Sequence, residues 1–209
     1  VIVPFSQEFT RDAATLYNEL VRRLPEALAK KFDQTVLHGG QTLADFDNLS
    51  GAGAIALGGD TYQALVDADT QVALGGGILN GFVIAPQGRG ILLGSTDTSG
   101  RPLFTPGAES GSLTTLVGQP VSLSRAAYAA GTPNVVGVAG DWSSARYGTV
   151  EGIKVSISDQ ATLTDGANTI NLWQRNMVAV RAEIEVGFVV KDVAHFARLT
   201  DEVPAEPVA

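Results

Sequence analysis

The stretch from Ser6 to Gly40 constrains the fold most, because no other part of the chain is as long and as periodic. Within it, apolar residues recur every four positions with charged residues between them: Leu16, Leu20, Leu24, Leu28, Phe32 and Val36. This spacing predicts a single amphipathic helix over about 12–37. Ser6 and Asp12 are competing N-cap residues, and Gly39 opens the glycine pair expected to end the helix.

The predicted helix is unusually long. At about 1.5 Å per residue it would extend roughly 39 Å, which is more than an ordinary domain helix. Pro25 lies inside it and has no amide hydrogen to donate to the carbonyl of Val21. The sequence therefore predicts a bend at this proline.

A second long element is predicted near the end of the chain. Every other residue from Val178 to Val190 is apolar, and the positions between include Arg181, Glu183 and Glu185. This alternation predicts a strand over about 177–190 with one apolar and one charged face. The segment 151–158 alternates in the same way, so we expect a half-buried strand beside it, with Lys154 near the acidic stripe. The long helix and the long strand are expected to pack along each other.

The middle of the chain predicts a compact lobe of short elements. We expect helices at 61–72 and 88–93 and strands at 82–84, 116–123 and 134–139. A polar loop is expected at 95–112. The segment 51–60 is rich in glycine but lacks the G-x-G-x-x-G spacing of a dinucleotide loop, so it is interpreted as a flexible linker. The pattern as a whole indicates an α+β protein.

Composition narrows the possible chemistry. The chain has 14 Lys and Arg against 22 Asp and Glu, a net charge of −8, which disfavours nonspecific binding to phosphate backbones. The absence of Cys excludes thiol catalysis and thiolate metal sites. His38 and His195 belong to no catalytic or metal motif, and His38 is expected to complement the dipole at the end of the long helix. No apolar run approaches the roughly 20 residues of a membrane span.

No motif indicates catalysis. The chain has no G-x-S-x-G and no phosphate-binding loop sequence. An enzyme with paired carboxylates remains an alternative, and its candidate residues are Asp141, Asp159, Asp165, Glu183 and Glu185. A solvated face or a subunit contact explains these acids more simply. We predict no catalytic, cofactor-binding or metal site.

The order of the segments resembles the major capsid proteins of tailed phages of the Hong Kong 97 type. DAATLYNELVRRLPEALAKKFDQTVLHG is similar to the spine helix of that family, and FVIAPQGRGILLGSTDTSGRPLF to its strand, short helix and long loop. LVGQPVSLSRAA is similar to its Gly-x-Pro-Val strand. The segments GDWSSARYGTVEGIKVSISDQAT and NLWQRNMVAVRAEIEVGFVVKDVAHFARL resemble its closing strands. The resemblance covers nearly the whole chain.

This resemblance implies a specific architecture. Residues 1–54 and 140–191 would form the peripheral domain, in which the spine helix packs on a long-stranded antiparallel sheet. Residues 55–139 and 192–200 would form the inserted α+β axial domain. The Pro-rich acidic tail at 201–209 is expected to be disordered.

The resemblance also implies a function. Copies of the chain would self-assemble into hexamers and pentamers that close an icosahedral shell around double-stranded DNA, without specific DNA binding. The expected location is the virion capsid, assembled in the cytoplasm of a bacterial host, with scaffold, portal and decoration proteins as further partners and no membrane. An encapsulin-like nanocompartment shell shares this fold and remains an alternative.

The chain departs from the family pattern at its start. The N-terminal arm and extended loop that precede the spine helix in the family have no counterpart here, so we expect a fragment beginning at Val1 that does not form closed shells alone. Some family members join a Lys of that loop to an Asn, promoted by a Glu, and Asn176 and Glu183 fall at the matching positions. Their spacing of seven predicts opposite faces of a regular strand.

Overall fold

The computed structural model describes residues 1–8, 14–40, 46–105, 114–165 and 168–201. Its helices are α1 (Ala14–His38), α2 (Thr61–Leu74) and α3 (Pro86–Gly94). Its strands are β1 (Ile2–Ser6), β2 (Gly53–Ala56), β3 (Gly81–Ile84), β4 (Thr115–Leu116), β5 (Gln119–Leu123), β6 (Val135–Gly140), β7 (Ala145–Ser158), β8 (Thr162–Asp165), β9 (Asn168–Asn171), β10 (Met177–Val190) and β11 (Phe196–Thr200). The mixture of helices and sheets confirms the α+β class.

The strands form three sheets. Their orders are β1-β10-β7, β2-β11-β6-β3-β5-β4 and β8-β9. The chain divides into two compact units. The first consists of Val1–Phe32 with Gly148–Gly187, and the second of Asp33–Tyr147 with Phe188–Ala209. The peripheral and axial limits expected from the sequence lie elsewhere, at 54/55, 139/140 and 191/192, and they stay a prediction.

In the first unit, α1 packs on the sheet that contains the long strand. Leu24 of α1 is buried against Val180 and Ala182, which lie on one face of β10. Val3 and Phe5 of β1 pack against the same cluster. Strand β1 runs antiparallel to β10, with Val3 opposite Val180. The helix and the long strand therefore pack together as predicted, and β10 has the predicted bounds.

The start of α1 is partly outside the described residues. Ser6, one of the two predicted starts, ends β1, and the next residues, Gln7 and Glu8, are helical. Asp12, the other predicted start, lies outside the described residues, as do the side chains of Leu16 and Leu20. Pro25 is inside the helix, and the bend there stays a prediction.

The second unit is built around the six-stranded mixed sheet. Its core joins Leu65 and Val72 of α2 to Phe82, Val136 and Leu199 of the sheet, all of them buried. Strands β2 and β11 are parallel, as are β3 and β5, whereas β6 runs antiparallel to its neighbours β3 and β11. Helix α3 begins at Pro86, where a missing amide hydrogen costs nothing.

Two local predictions are wrong. The segment 51–60 is not a flexible linker throughout, because Gly53–Ala56 forms β2 beside β11. Its partner strand is distant in sequence, so no local pattern shows the pairing. The single strand predicted at 116–123 is a hairpin of β4 and β5, with Leu116 opposite Gln119. Val117 and Gly118 both have positive φ angles, 48° and 77°, as the tight turn between two such strands requires.

Candidate assembly surfaces

The part of β7 that belongs to the first unit presents apolar side chains to solvent. The strand lies at the edge of its sheet. Val150, Ile153, Val155 and Ile157 are all exposed, Val150 to 76%. The prediction that 151–158 is a half-buried strand is therefore wrong as regards burial. Alternating sequence shows that a face is apolar, but whether this chain itself covers that face depends on distant packing. Contiguous exposed apolar surface is typical of an interaction site.

A polar depression lies on the same unit. Lys154 lines it together with Glu151, Glu183 and Glu185, so Lys154 is close to the acidic stripe, as expected. The Glu183 carboxylate also pairs with the Arg181 guanidinium. Both side chains of this pair are exposed, and such pairs contribute at most about 1 kcal/mol. The depression is thus a charged surface and not a buried ionic site.

Asn176 does not lie on β10. It follows a short 3-10 turn, Trp173–Arg175, and has a left-handed backbone conformation with φ 53° and ψ 49°. Its carbonyl accepts a hydrogen bond from the Gln7 amide at 3.0 Å. The prediction that Asn176 and Glu183 occupy opposite faces of one strand is therefore wrong. A strand pattern did not reveal this, although Asn tolerates the left-handed region better than most residues.

The two candidate cross-linking residues line different surface cavities. Asn176 is exposed and lines a cavity of about 250 Å³ with Asp159 and Trp173. Glu183 lines the depression that contains Lys154. Their proposed role in cross-linking stays a prediction.

The candidate catalytic carboxylates are not assembled into one site. Asp141 accepts hydrogen bonds from the backbone amides of Ile78 and Ser143, and the Ser143 hydroxyl lowers the pKa of its carboxyl group most strongly. Asp159 lies in the cavity with Asn176, and Asp165 ends β8. Glu183 and Glu185 share the depression on the first unit. Among the described residues, no group of three His, Asp or Glu residues is suited to hold a metal ion.

The two histidines have structural positions. His38 ends α1, and its Nε2 lies 2.9 Å from the Ala126 carbonyl oxygen. Burial lowers the pKa of His38, with a smaller contribution from the charge of Arg198. The neutral ring is therefore favoured. His38 was expected to complement the helix dipole with its charge, but its ring instead donates a hydrogen bond to the Ala126 carbonyl. His195 is buried in the second unit, and a Cβ atom added at Gly77 would lie 3.1 Å from its ring.

The described part of the chain contains no helix long and apolar enough to cross a bilayer.

A comparison with protein families decides what kind of molecule has these surfaces. The model described as "Phage capsid family" matches residues 1–201. The chain belongs to the phage capsid family. A probable major capsid protein, gp17 of Mycobacterium phage L5, is 42% identical to it over 120 residues, covering 53% of this chain. That match spans only 36% of the L5 protein.

Solved structures agree with this assignment. A chain from Mycobacterium phage Adephagia is 26% identical, with a TM-score of 0.77, and the match covers 98% of this chain and 71% of that one. A chain from Gordonia phage Cozz has a TM-score of 0.79 at 24% identity, covers 98% of this chain and 69% of that one, and shows the shared fold. The fold is therefore the Hong Kong 97 type expected from the sequence. Neither the encapsulin-like alternative nor the enzyme is favoured by these matches.

Proposed function

We propose that this chain is a structural subunit of a phage or prophage capsid, whose copies assemble into hexamers and pentamers that enclose double-stranded DNA. The observation that carries the proposal is the family match over residues 1–201. Because the L5 match spans 36% of its relative, the proposal concerns the protein of which this chain is the matched part.

The exposed apolar side chains of β7 support self-assembly. Val150 and Ile157 are large apolar side chains that this chain leaves exposed. Burying such surface against another copy would gain roughly 25 cal/mol for each Å² removed from water. We therefore expect a neighbouring subunit to bury these side chains of β7.

The charge of the chain supports enclosure of DNA without specific binding. A net charge of −8 opposes adhesion to phosphate backbones. The proposed location is the virion capsid, with assembly in the host cytoplasm. Scaffold, portal and decoration proteins belong to the same proposal as further partners.

Covalent cross-linking at Asn176 is a subsidiary part of this proposal. A lysine amine of another copy would attack the Asn176 side-chain amide, form an isopeptide bond and release ammonia. Because Asn176 and Glu183 of one chain line different cavities, Glu183 of a further copy would accept the amine proton and pass it to the leaving ammonia. The exposure of Asn176 supports access by another chain. Peptide mass spectrometry of assembled particles should find the linked peptide, and Asn176→Ala should remove it. Particles that run only as monomers in denaturing gels would contradict this part alone.

The main proposal is tested by electron microscopy of the complete protein after expression in bacteria. We expect closed icosahedral particles built from hexamers and pentamers. A folded protein that stays monomeric under conditions that assemble a related phage capsid protein would overturn it. Analysis of the particle contents then addresses the alternative, since a packaged enzyme in place of DNA indicates a nanocompartment.

A further inference from the structure

The second unit carries an acidic cavity that the proposed function does not explain. The cavity has a volume of about 530 Å³ and lies where α2 begins and the loop after α3 passes. Asp60 and Asp97 line it together with Tyr62 and Leu103, and its lining contains no basic residue. Tyr62 is 52% exposed and Leu103 is 40% exposed. The cavity thus combines two carboxylates with two accessible apolar side chains.

Local hydrogen bonds hold both carboxylates in place and leave one oxygen of each available. Asp60 Oδ1 accepts from the Gln63 amide at 3.0 Å as the cap of α2. Asp97 Oδ1 accepts from the amides of Ser99 and Arg101, both at 2.8 Å. Within the described part of the chain, the Oδ2 atoms of Asp60 and Asp97 have no hydrogen-bond partner. Groups fixed in this way lose little conformational entropy when a ligand binds.

The floor of the cavity is also fixed. The Ser95 hydroxyl donates to the Thr61 hydroxyl at 2.7 Å, which joins the loop after α3 to the start of α2. The Leu103 amide donates to the Ser95 carbonyl at 3.0 Å. Both walls of the cavity are therefore tied to each other before any partner arrives.

A surface of complementary charge follows β5 in the same unit. Leu123 ends β5 and is 46% exposed. Arg125 is exposed and has no hydrogen bond or ion pair within the described residues. The backbone between them is held by the Ser124 amide, which donates to the Ile84 carbonyl at 3.0 Å. The Ser124 hydroxyl accepts from the Ala126 amide at 3.2 Å.

We infer that the acidic cavity receives Arg125 of a second copy of this chain, with Leu123 of that copy against Tyr62 and Leu103. The inference rests on the proposed function, because it specifies one contact through which copies assemble. A guanidinium can donate to the free Oδ2 atoms of Asp60 and Asp97. The exposed ring of Tyr62 adds a favourable contact for a cation.

The position of the two surfaces decides the type of assembly. Helix α2, which begins at the cavity, packs against β2, β11 and β6, whereas the 3-10 turn that carries Arg125 follows β5 and packs against β6 and β3. The contact therefore joins two different surfaces and is head-to-tail. Repeated head-to-tail contacts close into rings when the rotation allows it, and rings of subunits are what the proposed hexamers and pentamers require.

Cysteine cross-linking tests the contact directly, because the natural chain contains no Cys. Thr98→Cys on the cavity and Leu123→Cys are introduced together into the complete protein, which is assembled and treated with a short bis-maleimide. We expect a ladder of covalent oligomers that ends at rings. Each single variant should give no ladder. Only dimers, or no cross-linked product in assembled particles, would overturn the inference.

Charge variants provide a second test that does not depend on cross-linker reach. Arg125→Glu should lower the yield of assembled particles at least about tenfold, as expected for a like charge placed against two carboxylates. The double variant D60N/D97N keeps an oxygen acceptor at each position, so the cap and the turn persist, and it should also lower the yield. Adding Arg125→Ala to this double variant should have little further effect, because the partners act as one contact.

Lys191→Ala is the matched control, since Lys191 is another exposed basic residue of the second unit. Its assembly should equal that of the natural protein, and thermal unfolding should show that every variant is folded. If Arg125→Glu assembles normally, the contact is wrong while the capsid proposal stands. If the natural protein itself does not assemble, the capsid proposal fails.

Discussion

The two units differ in how much of their apolar surface they bury themselves. In the second unit, Phe82, Leu65 and Leu199 are fully enclosed by the six-stranded sheet and α2. In the first unit, Leu24 of α1 packs against β10, but Ile153 and Val155 of the edge strand β7 are exposed to solvent. The contrast shows that the second unit buries its own core, whereas the first leaves an apolar surface that we propose is covered by another chain.

The largest effect expected from this contrast is the loss of a core side chain from the second unit. Phe82→Ala removes a buried ring at the centre of the sheet and should lower the free energy of unfolding by about 3–5 kcal/mol. Urea unfolding of the purified chain measures it. The matched variant Ile153→Ala on β7 should cost less than about 1 kcal/mol, because an exposed side chain has little packing to lose. Equal losses of unfolding free energy for the two variants would contradict the difference in burial between the two units.

The next effect concerns assembly and not stability. Ile157→Asp places a charge on the exposed edge strand, so the free energy of unfolding of the unassembled chain should change by less than about 0.5 kcal/mol. Particle yield should nevertheless fall sharply, because a subunit contact would have to bury that charge. Electron microscopy and size-exclusion chromatography compare it with Ile157→Val, which should assemble normally. Normal assembly of the Asp variant would show that β7 stays uncovered.

A smaller effect is expected at the β4–β5 turn of the second unit. Val117 has a φ of 48°, which a β-branched side chain adopts at a cost. Val117→Asn should raise the free energy of unfolding by about 1 kcal/mol, since Asn tolerates this region. Gly118→Ala, at φ 77°, should instead lower it. A destabilising Val117→Asn would indicate that the valine side chain has a packing role that outweighs its backbone strain.

The smallest effect is a pH dependence in the second unit. Burial lowers the pKa of His38 below its ordinary value of 6.5. The folded chain therefore binds this proton less readily than the unfolded chain, so the stabilising contribution is complete above pH 6.5 and is lost as pH falls below it. Thermal unfolding between neutral and mildly acidic pH measures it. His38→Gln should flatten the profile in that window, and an unchanged slope would show that another group is responsible.

The sequence predicted the elements whose pattern is local and long. The four-residue repeat of α1 and the alternation of β10 could be recognised because each pattern repeats over several turns or pleats. Leu24, Val180 and Ala182 were accordingly placed on faces that do meet. The family resemblance, which depends on the order of such segments, was confirmed by the match over residues 1–201.

The remaining features depend on partners distant in sequence or on single backbone angles. Strand β2 is a strand because Ile55 pairs beside Leu199, which its glycine-rich sequence does not show. Asn176 leaves the strand because one residue adopts a left-handed conformation. The acidic cavity joins Asp60 and Asp97 through the packing of two separate segments. Neither residue belongs to a sequence motif, so composition and periodicity had no signal for that site.

Hydrogen exchange at the amides of residues 148–158 tests the central claim most directly, with the unassembled chain compared to assembled particles of the complete protein. If the first unit is completed by a neighbouring subunit, exchange along this edge strand should slow markedly on assembly, while amides in the centre of the second unit's sheet should change little. Equal exchange rates along 148–158 in both states would contradict the account.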